Sequence, residues 1–488
     1  MLVEPLLDHA RRTPEEIALH DDGGSYTYQQ LAAAAGGLAT FLAGVTSRPH
    51  VAILLPSGFG FVASFYGTLL AGKSVVPINF LLGDREIAHV LRDSGVDTVL
   101  TAPPLAGKLN NSGLNIVDIS TLPKTAPGAA LPTPVPRNPD DMAVLIYTSG
   151  TSGLPKGVIL TYANLQSDLD AAIQHARLEN KHVFLGVIPL FHAFGLLAMM
   201  LAPIQLAATV IYMARFNPVA VVNTIRQRKV SLVFAVPSMF AAIAHLKNAS
   251  AEDFNSAYLM ISGAEPLPVP LREKFQERFG VTLYEGYGLS ETSPAVALST
   301  PFGSRMGSVG KALPGVIIKI TDDNGREVGV GEVGEIWLKG PMVTRGYYNL
   351  PAETAASFTS DGFFKTGDLG RLDSDGFLFI TGRKKDLIIV AGEKAAPREI
   401  EEMLLRHESV GEAAVVGKKD SSRGEVVVAF VVGREGQLVK ADELRDFCRG
   451  QGLPQWKIPR EIFIEKELPH SPTGKVLKRV LAERVNQV

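Results

Sequence analysis

A chain of 488 residues exceeds what one ordinary hydrophobic core holds, so two or more domains are expected. Apolar residues at 46% and charged residues at 20% describe a folded chain and exclude global disorder. The 48 Lys and Arg nearly balance the 50 Asp and Glu, which argues against a nucleic-acid partner, and the single cysteine, Cys448, excludes an internal disulfide.

The N-terminal stretch, MLVEPLLDHARRTPEE, lacks an apolar core followed by small residues and does not read as a secretory signal. With one thiol suited to a reducing compartment, a cytoplasmic location is expected. Residues 28–42 carry alanine-rich helical spacing, and 51–55 form an apolar run of strand length. Residues 61–70 are again helix-like, and 74–77 read as a strand ending in proline. Short apolar strands alternating with helices predict βαβ units and a largely parallel sheet. The proline-rich stretch 122–139 is expected to be an irregular connector into a strand at 143–146.

Residues 183–213 are apolar enough to cross a bilayer, but Pro189, Gly195 and Pro203 interrupt them. Buried strand, loop and core helix are the expectation, with no transmembrane segment and peripheral membrane contact left open. Beyond Gly334 the character changes: 335–338 read as a strand, and Gly-Asp and Asp-Gly turns follow to Gly376. After the charged run Gly382-Arg383-Lys384-Lys385-Asp386 comes a tail with a helix at 397–406 and strands at 412–416 and 426–432. The chain is therefore expected to be α/β: a large multi-subdomain N-terminal part, residues 1–384, with mixed and parallel sheets flanked by helices. Residues 385–488 would form a small mobile α+β domain.

The strongest local signal is Tyr147-Thr148-Ser149-Gly150-Thr151-Ser152-Gly153-Leu154-Pro155-Lys156-Gly157-Val158, directly after a buried strand. Glycines let backbone N–H groups approach an anion, the hydroxyls donate further bonds, and one lysine supplies charge, as an ATP polyphosphate requires. Pro155 before the lysine distinguishes the run from a Walker A loop.

That segment resembles the phosphate loop of the acyl-adenylate-forming superfamily, which holds acyl-CoA synthetases, coumarate–CoA ligases, luciferase and peptide-synthetase adenylation domains. The resemblance continues in order over essentially the whole chain. Ser262-Gly263-Ala264-Glu265-Pro266 is similar to the adenine-lining segment, and Tyr284-Glu285-Gly286-Tyr287-Gly288-Leu289-Ser290-Glu291-Thr292 to the most diagnostic motif. Phe364-Lys365-Thr366-Gly367-Asp368, Gly382-Arg383 and Pro472-Thr473-Gly474-Lys475 complete the set.

The resemblance implies an ATP-dependent acid:CoA ligase that joins a carboxylic acid to AMP, then passes the acyl group to coenzyme A. It assigns Thr148, Ser149, Gly150, Thr151, Ser152, Gly153 and Lys156 to the β- and γ-phosphates. Gly263, Ala264, Glu265, Gly286, Tyr287, Gly288 and Ser290 go to the nucleotide, with the Tyr287 ring for adenine stacking. Asp368, an acceptor when ionised, suits the ribose hydroxyls. Arg383 is a second ribose or phosphate contact or a surface ion pair. Glu291 is the expected Mg²⁺ contact, since a hard cation prefers carboxylate and phosphate oxygen. Lys475 is expected to reach the reacting carboxylate and phosphate, and Lys385 matches the family's hinge between the two half-reactions. Ala391 and Lys394 depart from the residues most common at their positions beside the thiol tunnel.

The acyl pocket is expected to be lined from Phe191-His192-Ala193-Phe194-Gly195 and Val236-Pro237-Ser238-Met239-Phe240. No Asp or Glu occurs from Lys181 through Leu246, so a buried substrate ammonium would lack its partner and an amino acid is disfavoured. The runs 196–201 and 240–244 are either an apolar tunnel or plain helix core. His192 is a candidate gate, with catalytic standing beside Lys156 and Lys475, or a hydrogen-bonded core histidine. The expected substrate is a medium- or long-chain fatty acid. The alternatives are an aryl or arylpropenoic acid, and an acyl-carrier protein as acceptor. A monomer or homodimer would serve either.

Overall fold

The computed structural model describes residues 2–109, 113–122, 131–149, 154–434, 436–470 and 476–487. The first βαβ units appear where the apolar runs place them: strand His50–Leu54, helix Phe59–Leu70, then strand Ser74–Pro77 parallel to the first. Phe59–Leu70 is apolar on all sides because it is buried on all sides, packing between strands of two sheets and against helix Tyr28–Val45. The two helices cross closely at Gly67, where a Cβ would stand 2.8 Å from the Ala35 carbonyl oxygen. Residues 131–139 carry no helix or strand, as prolines dictate, and 123–130 lie outside the described residues.

Among the described residues the chain builds four sheets. A six-stranded sheet runs Asn115–Asp118, Thr98–Thr101, His50–Leu54, Ser74–Pro77, Met142–Ser149, Pro155–Thr161. A nine-stranded sheet has the parallel strands Leu283–Gly288, Leu259–Ser262, Leu232–Ala235, Val183–Gly186, Thr209–Tyr212 and Ile17–Asp21 at its centre. One apolar core spans both, joining Leu19, Phe65, Val144, Leu165, Phe184 and Val233. A four-stranded antiparallel sheet, Ile317–Thr321, Gly334–Lys339, Phe364–Leu372, Leu378–Arg383, follows.

The apolar stretch 183–213 folds as strand, loop, helix and strand, and no helix among the described residues is long and apolar enough to cross a membrane. Its helical part contains a π turn, Leu197–Leu201, just before Pro203. Pro203 has no N–H to offer the Met199 carbonyl four residues back. The Tyr212 hydroxyl donates to that carbonyl instead, at 2.6 Å. Residues 196–201 are all buried in the core.

From Ile388 onward the chain builds its own five-stranded sheet, and the side chains of Gly424–Gly433 alternate between its faces. Val427, Ala429 and Val431 pack under helices Pro397–Leu405 and Ala441–Gly450, where Cys448 is buried as a free thiol. Val428 and Phe430 pack under helix Lys478–Asn486 on the other face. This unit meets the rest through helix Pro397–Leu405 on strand Leu378–Arg383, and through Lys394, whose Nζ lies 2.6 Å from Asp323.

Candidate active site

Three motif residues far apart in sequence converge at one end of the site. Strands Phe364–Leu372 and Leu378–Arg383 pair antiparallel with Asp368 opposite Arg383. The Arg383 Nε lies 2.8 Å from Asp368 Oδ1, and the Tyr287 hydroxyl donates to Oδ2 at 2.7 Å. Asp368 is buried at 3% exposure. Burial disfavours the Arg383 charge, but Asp368, Asp386 and Tyr287 together outweigh it and raise the guanidinium pKa. Burial and then Asp368 raise the Tyr287 phenol well above its ordinary value, so it stays a donor. Arg383 thus pairs with a buried carboxylate while itself partly exposed, and the Tyr287 ring is fixed by its own hydroxyl.

The segment expected to line the adenine leaves the sheet at Ser262. Gly263 backs onto the Phe194 ring, which a Cβ would meet at 2.9 Å, and Ala264 adopts a left-handed φ of 67°. Glu285, on the same strand as Tyr287, supports this turn by accepting from the Leu267 N–H at 3.3 Å. Burial pushes its carboxyl up to about 7, while Arg398 on helix Pro397–Leu405 opposes the shift.

At the other end, Met142–Ser149 and Pro155–Thr161 form a hairpin with Thr148 opposite Lys156 and Ser149 opposite Pro155. The turn residues Gly150, Thr151, Ser152 and Gly153 lie outside the described residues, as does Lys475 with its Pro-Thr-Gly loop. Lys156 Nζ pairs with Glu353 and stands 6.0 Å from the Tyr347 ring centroid. The Tyr347 hydroxyl donates to Glu291 Oε1 at 2.9 Å. Burial, then Glu291, raise the Tyr347 phenol pKa. Among the described residues no three His, Cys, Asp or Glu gather to form a metal cage. One carboxylate, Glu291, suits Mg²⁺, which is commonly held by one or two carboxylates together with substrate phosphates. Tyr347 and Glu353 were not singled out in the sequence; Arg345-Gly346-Tyr347-Tyr348, a glycine before paired phenols, was the available signal.

The aromatic residues expected around the acid fall in two pairs. Phe191 packs edge-on to Phe80 at 5.0 Å, and Phe194 edge-on to Phe234 at 6.0 Å. His192 lies 4.7 Å from Phe191, its Nε2 shielded and without a hydrogen-bond partner. Burial lowers its pKa to about 4, so the ring is neutral near pH 7 and brings no charge.

Residues 6–348 match the family model described as AMP-binding enzyme, and residues 399–475 match that of its C-terminal domain. The chain belongs to the AMP-binding enzyme family. This AMP-binding enzyme is 35% identical to a long-chain-fatty-acid–CoA ligase of Bacillus subtilis (strain 168), over 98% of this chain and 93% of that one. It is 33% identical to a feruloyl-CoA synthase of Amycolatopsis sp, over 97% of each. Among solved structures, the Bacillus subtilis o-succinylbenzoate CoA synthetase with its acyl-adenylate intermediate superposes at TM-score 0.87, with 33% identity, covering 98% of this chain and 97% of that one. The same synthetase with ATP and magnesium gives 0.86, with 33% identity, covering 97% and 98%.

Proposed function

We propose that this AMP-forming acyl-CoA synthetase acts on a medium- or long-chain fatty acid. In the first step a carboxylate oxygen attacks the α-phosphorus of ATP and pyrophosphate leaves, giving the acyl-adenylate. In the second, the thiolate of coenzyme A attacks the acyl carbon and AMP leaves. A bare carboxylate would have to expel oxide; joined to AMP it has a good leaving group.

What supports the acid class is the uncharged, aromatic character of the segments expected to line its pocket. Residues 181–246 bring no carboxylate, Phe191 packs on Phe80 and Phe194 on Phe234, and His192 is uncharged at neutral pH. Such a wall favours an alkyl chain and rejects a substrate ammonium. The aromatic edges at Phe191 and Phe194 also favour the second reading, an aryl or arylpropenoic acid.

Asp368 takes the ribose hydroxyls, with Arg383 and Tyr287 holding it in place. Lys156 exchanges Glu353 for phosphate oxygen, while Glu291 would help hold a magnesium ion, which would supply charge neutralisation at the phosphates. The small unit, residues 385–488, turns at the exposed Lys385 between steps. Lys475 enters for adenylation and withdraws for thioester formation. A reducing, cytoplasmic setting suits the buried lone thiol of Cys448.

A panel of acids tests the substrate: pyrophosphate release is followed with C8–C18 fatty acids, coumarate and ferulate, each with coenzyme A or an acyl-carrier protein as acceptor. A kcat/KM highest for a fatty acid with coenzyme A is expected. Preference for ferulate, or for the carrier protein, would overturn the corresponding half of the proposal. Lys475→Ala is expected to abolish pyrophosphate exchange and spare thioester formation from supplied acyl-adenylate; equal loss of both would refute the alternation.

A further inference from the structure

Helix Tyr162–Ala176 presents two buried polar side chains one turn apart, Asn164 at 5% and Asp168 at 0% exposure. Neither faces the nucleotide groups directly. Asn164 Nδ2 donates to the carbonyls of Pro341 at 2.7 Å and Val343 at 3.0 Å. The carbonyl between them, Met342, accepts from the Ser293 hydroxyl at 2.8 Å. Asp168 Oδ2 accepts from the Ala295 N–H at 3.0 Å. The helix therefore grips two segments, 341–343 and 293–295, which are also bonded to each other.

Those segments carry the carboxylate. The Thr344 N–H donates to the Glu291 carbonyl at 2.7 Å, and Tyr347, three residues on, donates to its side chain. The turn after Glu291 lies so close to the motif strand that a Cβ on Gly288 would stand 1.9 Å from the Pro294 carbonyl oxygen. A carboxylate on a turn this tightly packed moves if the turn moves.

We infer that Asn164 and Asp168 are positioning residues that set the Glu291 carboxylate toward the phosphates, Asp168 serving as an uncharged acid. The inference rests on reading Glu291 as the magnesium contact. Asp168 Oδ1 is shut from solvent with no hydrogen-bond partner, and no cation pairs with Asp168 among the described residues. An ionised carboxylate there would be costly, and burial raises its pKa well above the usual range against the opposing Ala295 N–H.

Three variants of the full-length enzyme test this, each read in two half-reactions. The magnesium concentration for half-maximal pyrophosphate exchange is measured, then thioester formation from synthetic acyl-adenylate. Asp168→Ala is expected to raise the magnesium requirement about tenfold while thioester formation changes less than about threefold. Asp168→Asn, which keeps the acceptor and carries no charge, is expected to stay within about threefold of the parent. Glu291→Gln is expected to raise the requirement at least as much as Asp168→Ala.

If Glu291→Gln leaves the requirement unchanged, the metal reading fails and this inference with it. If Glu291→Gln raises it and Asp168→Ala does not, the inference alone fails. Equal loss of both half-reactions in Asp168→Ala marks a merely structural residue. Should Asp168→Ala not fold, infrared difference spectra of parent and Asp168→Asn decide: a protonated-carboxyl band at pH 7, lost in the variant, is expected. No such band overturns the uncharged acid.

Discussion

Under the proposed assignment, the two ends of the nucleotide site are prepared in opposite ways. At the ribose end Asp368 is buried and already bonded by Tyr287 and Arg383, each from a different element. At the phosphate end Lys156 is held by a half-exposed glutamate on a short helix, and Glu291 by a phenol. The buried end needs no rearrangement to receive neutral hydroxyls. The other end, as proposed, neutralises its own charges until a polyanion replaces Glu353. On that proposal, preorganisation is placed where the ligand is uncharged, and exchangeable partners where the ligand brings charge.

Asp368→Ala strikes the preorganised end and is expected to have the largest effect. It removes the ribose acceptor and leaves the Arg383 guanidinium unmatched. A fall of about 10²–10³-fold in kcat/KM for ATP is expected from steady-state kinetics. Arg383 is 40% exposed, so the stability loss is moderated to about 2 kcal/mol in denaturant melts. An Asp368→Ala enzyme as stable as the parent would break the contrast.

Glu285 offers a second test at the same end, through pH. Its carboxyl rises from 4.5 to about 7 on folding, chiefly by burial. Between those values the unfolded chain has released the proton and the native chain holds it, so this group lowers stability as pH rises across that window. Above about 7 the penalty is complete. Glu285→Gln lacks the titration, so its stability relative to the parent is expected to grow by up to about 3 kcal/mol from pH 4.5 to 7.5. An unchanged difference across that range would place Glu285 in water.

The phosphate end is expected to respond least in stability and moderately in binding. Lys156→Ala weakens MgATP about tenfold, with a stability change within about 0.5 kcal/mol, because only a partly exposed ion pair is lost. Glu353→Gln releases Lys156 and is expected to tighten MgATP by up to about threefold. Weaker binding in Glu353→Gln would make that glutamate a ligand contact rather than a placeholder.

Much of this was legible in the sequence, for reasons that differ by region. The strands at 51–55, 74–77 and 143–146 and the helix at 61–70 could be read because burial on both sides leaves uninterrupted apolar runs, and the helix at 28–42, buried on one face, by its helical spacing. The neighbouring of Ile17–Asp21 with Thr209–Tyr212 could not, since nothing local marks a pairing that distant. Of the site, Tyr287, Asp368 and Arg383 were legible because each sits in a motif with glycine beside it. Tyr347, Glu353, Asn164 and Asp168 were not. Each is one polar residue in an ordinary helix or loop, and its role follows from what it touches.

A crystal structure with ATP and magnesium tests the division between the two ends most directly. The account expects the ribose hydroxyls on Asp368, with Tyr287 and Arg383 unmoved, and the phosphates over the turn between Ser149 and Pro155. Lys156 should have left Glu353 for phosphate oxygen. A nucleotide seated away from that turn, or phosphates bound with the Lys156–Glu353 pair intact, would contradict it.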